Sequence, residues 1–136
     1  MDAVAREMGD ALVAPVVPFV PEGDIEPRSG HMRYPGTVSV TQETFRALLT
    51  DIARSMKAHG FEHVIFLGDS GGNQDGMAAV ASALSEEWKG SGTDITHVPE
   101  YYDNARWNAW LAEQGVLERP EGLHDDVRHS SIMMLV

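Results

Sequence analysis

The chain of 136 residues contains no cysteine. Disulfides, thiolate nucleophiles and cysteine-ligated zinc or iron–sulfur centres are therefore excluded, and the composition is compatible with a reducing compartment such as the cytoplasm. Basic residues are scarce as well, with 10 Lys and Arg against 21 Asp and Glu and a formal charge of −11. Nucleic-acid partners are held through clustered Lys and Arg, and the few here are scattered, so no nucleic-acid partner is expected. The opening MDAVAREMGD lacks the basic start and apolar stretch of a signal peptide. The longest apolar run, from Ala11 to Val20, is too short to span a bilayer and holds Pro15 and Pro18. No membrane partner is expected, and the chain reads as soluble and cytoplasmic. What remains is ordinary for one globular domain over residues 1–136, with 43% hydrophobic and 23% charged residues.

Hydrophobic spacing orders the chain. Val4 to Met8 predicts the last turns of a helix stopped by Gly9. Ala11 to Val17, ALVAPVV, predicts a strand buried on both faces. A chain opening this way is expected to lack an upstream strand and most of a helix. Pro18 to Pro35 predicts a long loop, of a length usually tied to function. Phe45, Leu48, Leu49, Ile52 and Met56 form one helical stripe, with Ser39 or Thr41 as the cap and Gly60 as the stop. Val64 to Leu67 predicts a second strand, Asn73 to Lys89 an amphipathic helix, and Ile95 to Val98 a third strand. The segment with Tyr101, Tyr102, Trp107 and Trp110 predicts a loop and short helix, and the end from Asp125 predicts a helix cut in mid-pattern. This order predicts an α/β fold of three layers, a mostly parallel sheet with helices on both faces, incomplete at both ends. Ligands in such folds sit beyond the carboxyl ends of the strands. That edge collects the turn at Asp69–Asn73, the loop at Pro18–Pro35, the aromatic segment and the turn near His124.

Gly68-Asp69-Ser70-Gly71-Gly72 fits G-x-S-x-G between a strand and a helix, the setting of a nucleophile elbow. On that reading Ser70 is the nucleophile and His124 the base, with Asp94 or Asp103 as the third member, and N–H groups at the helix start face an oxyanion. The plain alternative is a glycine-rich turn that needs small side chains and unusual φ values. A phosphate-binding loop is disfavoured, since the Lys and Ser/Thr of a Walker motif and the G-x-G-x-x-G spacing are absent. Among the histidines, His31 in the long loop and His124 before Asp125 and Asp126 are the site candidates. His59 reads as a solvated helix end and His63 as structural. Tyr102 and its aromatic neighbours form either a pocket wall or core.

The chain resembles the creatininase (creatinine amidohydrolase) family. Ser29-Gly30-His31-Met32-Arg33-Tyr34-Pro35-Gly36-Thr37 is similar to that family's EH-x-x-FPGT stretch, and His59-Gly60-Phe61 to its HGF. Leu67 to Asn73 is similar to its NGHGGN, and His124 to Met134 to its final HxGxxETSLML. The resemblance implies a creatininase-like fold and a metal-dependent hydrolase of small cyclic amides or related C–N bonds. It implies zinc or manganese in pairs, a metal-activated water, a small-molecule substrate, and a homo-oligomer, a hexamer in the family. It places His124 near bound substrate, and His31, Asn73 and Tyr102 are the substrate-binding candidates. The family's E-x-H…D segment has no counterpart here. Ser70 stands where the family has a ligand histidine, Gly72 where creatininase has a ligand glutamate, and His129 where ETS has its glutamate. A hydroxyl is a poor zinc ligand beside imidazole and carboxylate, which leaves Asp69, or Asp75, as the candidate replacement. The implied activity is thus expected to be impaired in this chain, with a serine hydrolase using Ser70 and His124, or a non-catalytic binding or assembly role, as alternatives.

Overall fold

The computed structural model describes residues 1–117 and 126–134. Among the described residues five α-helices and two strands follow in order: α1 (Asp2–Met8), α2 (Gln42–Ala58), β1 (His63–Phe66), α3 (Gly71–Glu87), β2 (Asp94–His97), α4 (Asn104–Glu113) and α5 (Val127–Met133). Single 3-10 turns occupy Gly30–Arg33 and Pro99–Tyr102. The two strands pair in parallel, with His63 opposite Asp94 and Phe66 opposite His97. Parallel neighbours need a crossover longer than a hairpin, and α3 supplies it. The molecule is a small α/β domain.

The spacing of apolar residues explains the layers. In β1 only Val64 and Phe66 are buried, and in β2 only Ile95, the alternation of a sheet with one covered face. The cover is α2 and α3. Phe45, Leu49 and Ala53 of α2 meet Met77, Val80, Ala81 and Leu84 of α3, and Trp88 closes the far end of the cluster. Burying one such side chain stabilises by about 1.5–3 kcal/mol. The other sheet face carries Ile65, which is 49% exposed.

The start of α2 is set by Thr41, whose hydroxyl accepts the Thr44 N–H at 3.1 Å. The alternative cap, Ser39, has a different task described below. Of the expected stripe, Phe45 and Leu49 are buried while Leu48 is 40% exposed, and the buried line continues one turn on through Ala53. At the far end Arg54 reaches from α2 to Glu87 on α3 at 2.8 Å, and its guanidinium holds that carboxyl below its ordinary range. A depressed carboxyl contributes stability above its ordinary pKa and loses it as pH falls through the folded value. The pair is solvated, so the effect is small. Lys57 lies over the Trp88 ring, 4.6 Å from its centroid.

The predicted strand at Ala11–Val17 does not form. Residues 11–20 take no regular structure. Among the described residues the sheet has two strands, and Leu12 and Val16 are 79% and 84% exposed. Apolarity alone does not make a strand without a partner ladder, and Pro15 and Pro18 each remove a ladder donor. Only Val17 and Val20, at the end of the run, pack on the core.

Gly76 is a point of close contact between α3 and α2. A Cβ there would lie 2.7 Å from Phe45 Cδ1 and 2.9 Å from Gln42 Oε1. Gly76→Val is therefore expected to lose roughly 2 kcal/mol or more of stability, from overpacking, although helix propensity alone favours the change. Urea unfolding of the two proteins measures it; equal or higher stability in the variant contradicts the contact.

Candidate active site

The carboxyl end of β1 runs through Leu67–Ser70 directly into α3. Ser70 is the N-cap of this 17-residue helix, in extended conformation at φ −144°, ψ 141°, and its hydroxyl makes no capping bond. A nucleophile elbow holds its serine in a strained turn. Extended backbone carries no such strain, so the G-x-S-x-G match does not form an elbow here. The hydroxyl is nevertheless uncommitted to the helix.

Two of the glycines stand in close contact, and packing demands glycine at Gly72. A Cβ on Gly68 would come 2.4 Å from Met77 Cε, and one on Gly72 would come 2.3 Å from the Pro21 carbonyl oxygen. The second clash is with backbone and cannot be relieved by a rotamer change. At Gly71 a Cβ would meet the Tyr102 ring at an ordinary 3.7 Å, which sets Tyr102 beside the helix start. Gln74 then pins the turn. Its Nε2 donates to the carbonyls of Gly68 and Ser70 at 3.0 and 2.9 Å. Its Oε1 lies 2.9 Å from His97 Nε2 at the end of β2. Because the two carbonyls only accept, the amide can face just one way, and His97 Nε2 carries the hydrogen.

The segment crossing Gly72 is held by Ser39, the residue expected as a helix cap. Ser39 is 8% exposed. Its hydroxyl accepts the Glu22 N–H at 3.0 Å and donates to the Gly23 carbonyl at 2.8 Å. Val40 N–H adds a bond to the Val20 carbonyl at 3.3 Å. The loop beyond closes on itself through Gly23 (φ 132°) and Gly30 (φ 51°). A Cβ on Gly23 would sit 2.2 Å from the Ser29 carbonyl oxygen. Closure brings the His31 N–H to the Glu22 carbonyl at 2.8 Å and His31 Nδ1 to Glu22 Oε2 at 2.5 Å.

These pieces frame an open cleft of about 430 Å³ lined by Glu22, His31, Tyr34, Thr37, Asp69 and Ser70. Three sequence candidates, His31, Asp69 and Ser70, thus share one cleft at the predicted edge. Tyr102 stands beside it at Gly71. Asn73 does not line it: the residue is 8% exposed in the first turn of α3, and its Oδ1 has no partner among the described residues. His124 lies outside the described residues. The contact of either proposed third member with His124 lies outside the described residues. Asp94 starts β2, opposite His63 and at the far end of the strands from the turn. Asp103 caps α4, accepting the Arg106 N–H at 3.1 Å. Glu22, Gln74, Tyr34 and Thr37 were not singled out by sequence. The pair Gly23 and Gly30 was the available signal, since two glycines bracketing a loop next to a His invite its closure on the preceding residue.

Among the described residues no group of three or more His, Asp or Glu side chains comes together to hold a metal ion. Glu22 is engaged by His31, Asp69 is exposed, and the place of Gly72 is closed by the Pro21 carbonyl. The described donors therefore do not fit a zinc or manganese pair. Among them, too, no helix is long and apolar enough to cross a membrane.

Residues 1–136 match the family Creatininase, creatinine amidohydrolase. A mycofactocin precursor peptide peptidase from Mycolicibacterium smegmatis (strain ATCC 700084 / mc(2)155) is 31% identical over 91 residues, which are 67% of this chain and 34% of that protein. The chain thus spans about a third of the length of the curated relative it matches. No solved structure matches. The chain belongs to the creatininase family.

Gly72→Glu would return a carboxylate to the position where creatininase has one. The variant is expected to displace the 20–23 segment and lose on the order of 1–3 kcal/mol, without gaining zinc affinity. Unfolding curves and zinc titration of the variant measure both, and a stable, zinc-binding variant contradicts the packing described.

Proposed function

We propose that this creatininase-family chain carries an amide-hydrolysing site in the cleft between the 22–37 loop and the start of α3. The observation that supports it is the His31–Glu22 pair set beside Asp69 and Ser70 at the carboxyl ends of two parallel strands. Family membership supplies the reaction class, hydrolysis of a C–N bond in a small molecule. A small cyclic amide is the first substrate class. A short peptide is the second, because the named relative is a peptide peptidase and the cleft is open rather than enclosed. The imidazole, oriented by the carboxylate, moves protons; Tyr34, Thr37 and Tyr102 border the substrate, and the N–H groups at the start of α3 face its carbonyl.

The paired-metal mechanism of the resemblance is not carried over, because the described residues lack the donors for it. Turnover by this chain is therefore slow. His124, placed near substrate by resemblance, adds to the site in this reading, as does assembly into a homo-oligomer in a cytoplasmic setting. The alternative of a non-catalytic member predicts no turnover at all. The test is hydrolysis of creatinine, related cyclic amides and short peptides, with added zinc or manganese or with EDTA, and elemental analysis of the protein. The expected result is slow hydrolysis indifferent to both treatments, with metal well below stoichiometric. Stoichiometric metal with metal-stimulated turnover contradicts the proposal, and absence of hydrolysis favours the non-catalytic role.

A further inference from the structure

We propose that His97, acting through Gln74, is a positioning residue that aims the Asp69–Gly71 turn at the cleft. The inference rests on the amide-hydrolysing reading of that cleft and names what holds its reacting edge in place. Both strands end at this edge. The chain leaving β1 runs through Gly68–Ser70 into α3, and the chain leaving β2 runs through Val98 into the turn Pro99–Tyr102. The Val98 N–H donates to the Phe66 carbonyl at 3.1 Å, one residue beyond the paired strands. Past that bond the Gln74 side chain takes over. Its Nε2 donates to the Gly68 and Ser70 carbonyls at 3.0 and 2.9 Å, and its Oε1 accepts from His97 Nε2 at 2.9 Å. A primary amide has two hydrogens and one carbonyl, and each of them is used. Neither Gln74 nor His97 lines the cleft, so both act on it through the turn.

The consequence follows from the planarity of the peptide unit. In a trans peptide the C=O and the next N–H lie in one plane and point opposite ways. Holding the Gly68 carbonyl therefore aims the Asp69 N–H, and holding the Ser70 carbonyl aims the Gly71 N–H. The Ser70 carbonyl has a second partner in the Asn73 N–H at 3.2 Å. Gly68 lies outside both β1 and α3, and among the described residues its carbonyl accepts no backbone hydrogen bond. That plane relies on Gln74. Asp69 and Ser70 both line the cleft, so the same plane decides where their side chains start. His97 completes the device, because an amide released at Oε1 is free to swing away from the two carbonyls. A displacement of about 1 Å in such a turn costs on the order of 100-fold in rate.

Nuclear magnetic resonance of the isotope-labelled full chain reads the arrangement without a substrate. Neutral His97 is expected as the Nε2–H tautomer, with the two Gln74 side-chain amide protons resolved and protected from exchange. Substitutions then separate the donor from the ring. A glutamine Nε2 takes the place of a histidine Nε2, and an asparagine Nδ2 that of Nδ1, so His97→Gln keeps the donor to Gln74 and His97→Asn loses it. Gln74→Glu keeps the acceptor and sets a carboxylate against the two carbonyls. His97→Asn and Gln74→Glu are expected to shift the Asp69 and Gly71 amide signals and to lower kcat for amide hydrolysis by about 10- to 100-fold, with KM changed far less. His97→Gln should return the signals and most of the rate, a rescue that loss of packing alone would not show. Thermal melts confine the comparison to folded variants. An Nδ1–H tautomer, rapidly exchanging Gln74 protons, or equal behaviour of His97→Gln and His97→Asn overturns the proposal. Moved amide signals at unchanged kcat overturn the positioning role and leave the amide-hydrolysing reading intact. Absence of hydrolysis by the wild-type chain removes that reading, and the amide signals of the same variants still decide whether His97 holds the turn.

Discussion

The Pro21 carbonyl oxygen rests where a side chain on Gly72 would begin, 2.3 Å from an ideal Cβ at that position. Two backbones 51 residues apart in sequence can come this close only if one of them has no side chain. Once they touch, the rest of the cleft is determined. The 20–23 segment lies over the start of α3, Ser39 ties it down from behind, and the loop that follows closes on Glu22 and delivers His31. Gln42 joins the contact from α2, donating to the Gly72 carbonyl at 2.8 Å. The cleft thus depends on the α2–α3 packing beneath it, and the core residues Phe45 and Met77 serve the site by fixing where the helix begins.

The same contact occupies the position where the family resemblance expects a metal ligand. In creatininase the position of Gly72 carries a metal-binding carboxylate. Here that volume belongs to a carbonyl, and the cleft carboxylate of Glu22 comes from the crossing segment and is paired with an imidazole. An imidazole held by a carboxylate moves protons, whereas a metal site needs several donors converging on one point.

Elements whose signal is local were legible in the sequence. The stripes of α2 and α3, the glycine stop of α1 (φ 83° at Gly9) and the strand-to-helix turn are all set by spacing within a few residues. Ala11–Val17 was misread because a strand is defined by its neighbour, and apolar content says nothing about whether a neighbour is there. Ser39 satisfied a capping pattern but was taken by a contact with Glu22, 17 residues away. Of the site, Ser70, Asp69 and His31 could be placed at one edge by fold logic alone. Glu22 could not, because its role follows from the loop closing through Gly23 and Gly30, a conformation that residue types permit without specifying.

The contact between the 20–23 segment and the start of α3 carries this account, and nuclear Overhauser effects on the isotope-labelled full chain test it most directly. The packing requires cross-peaks from the Gly72 α-protons to Pro21 and to the Glu22 amide, together with a contact between the Tyr102 ring and Gly71. Their presence is the predicted result. A well-dispersed spectrum showing the α2–α3 core contacts, but no cross-peak between Gly72 and residues 20–23, would contradict the account, because His31 and Glu22 would then have no reason to stand beside Ser70.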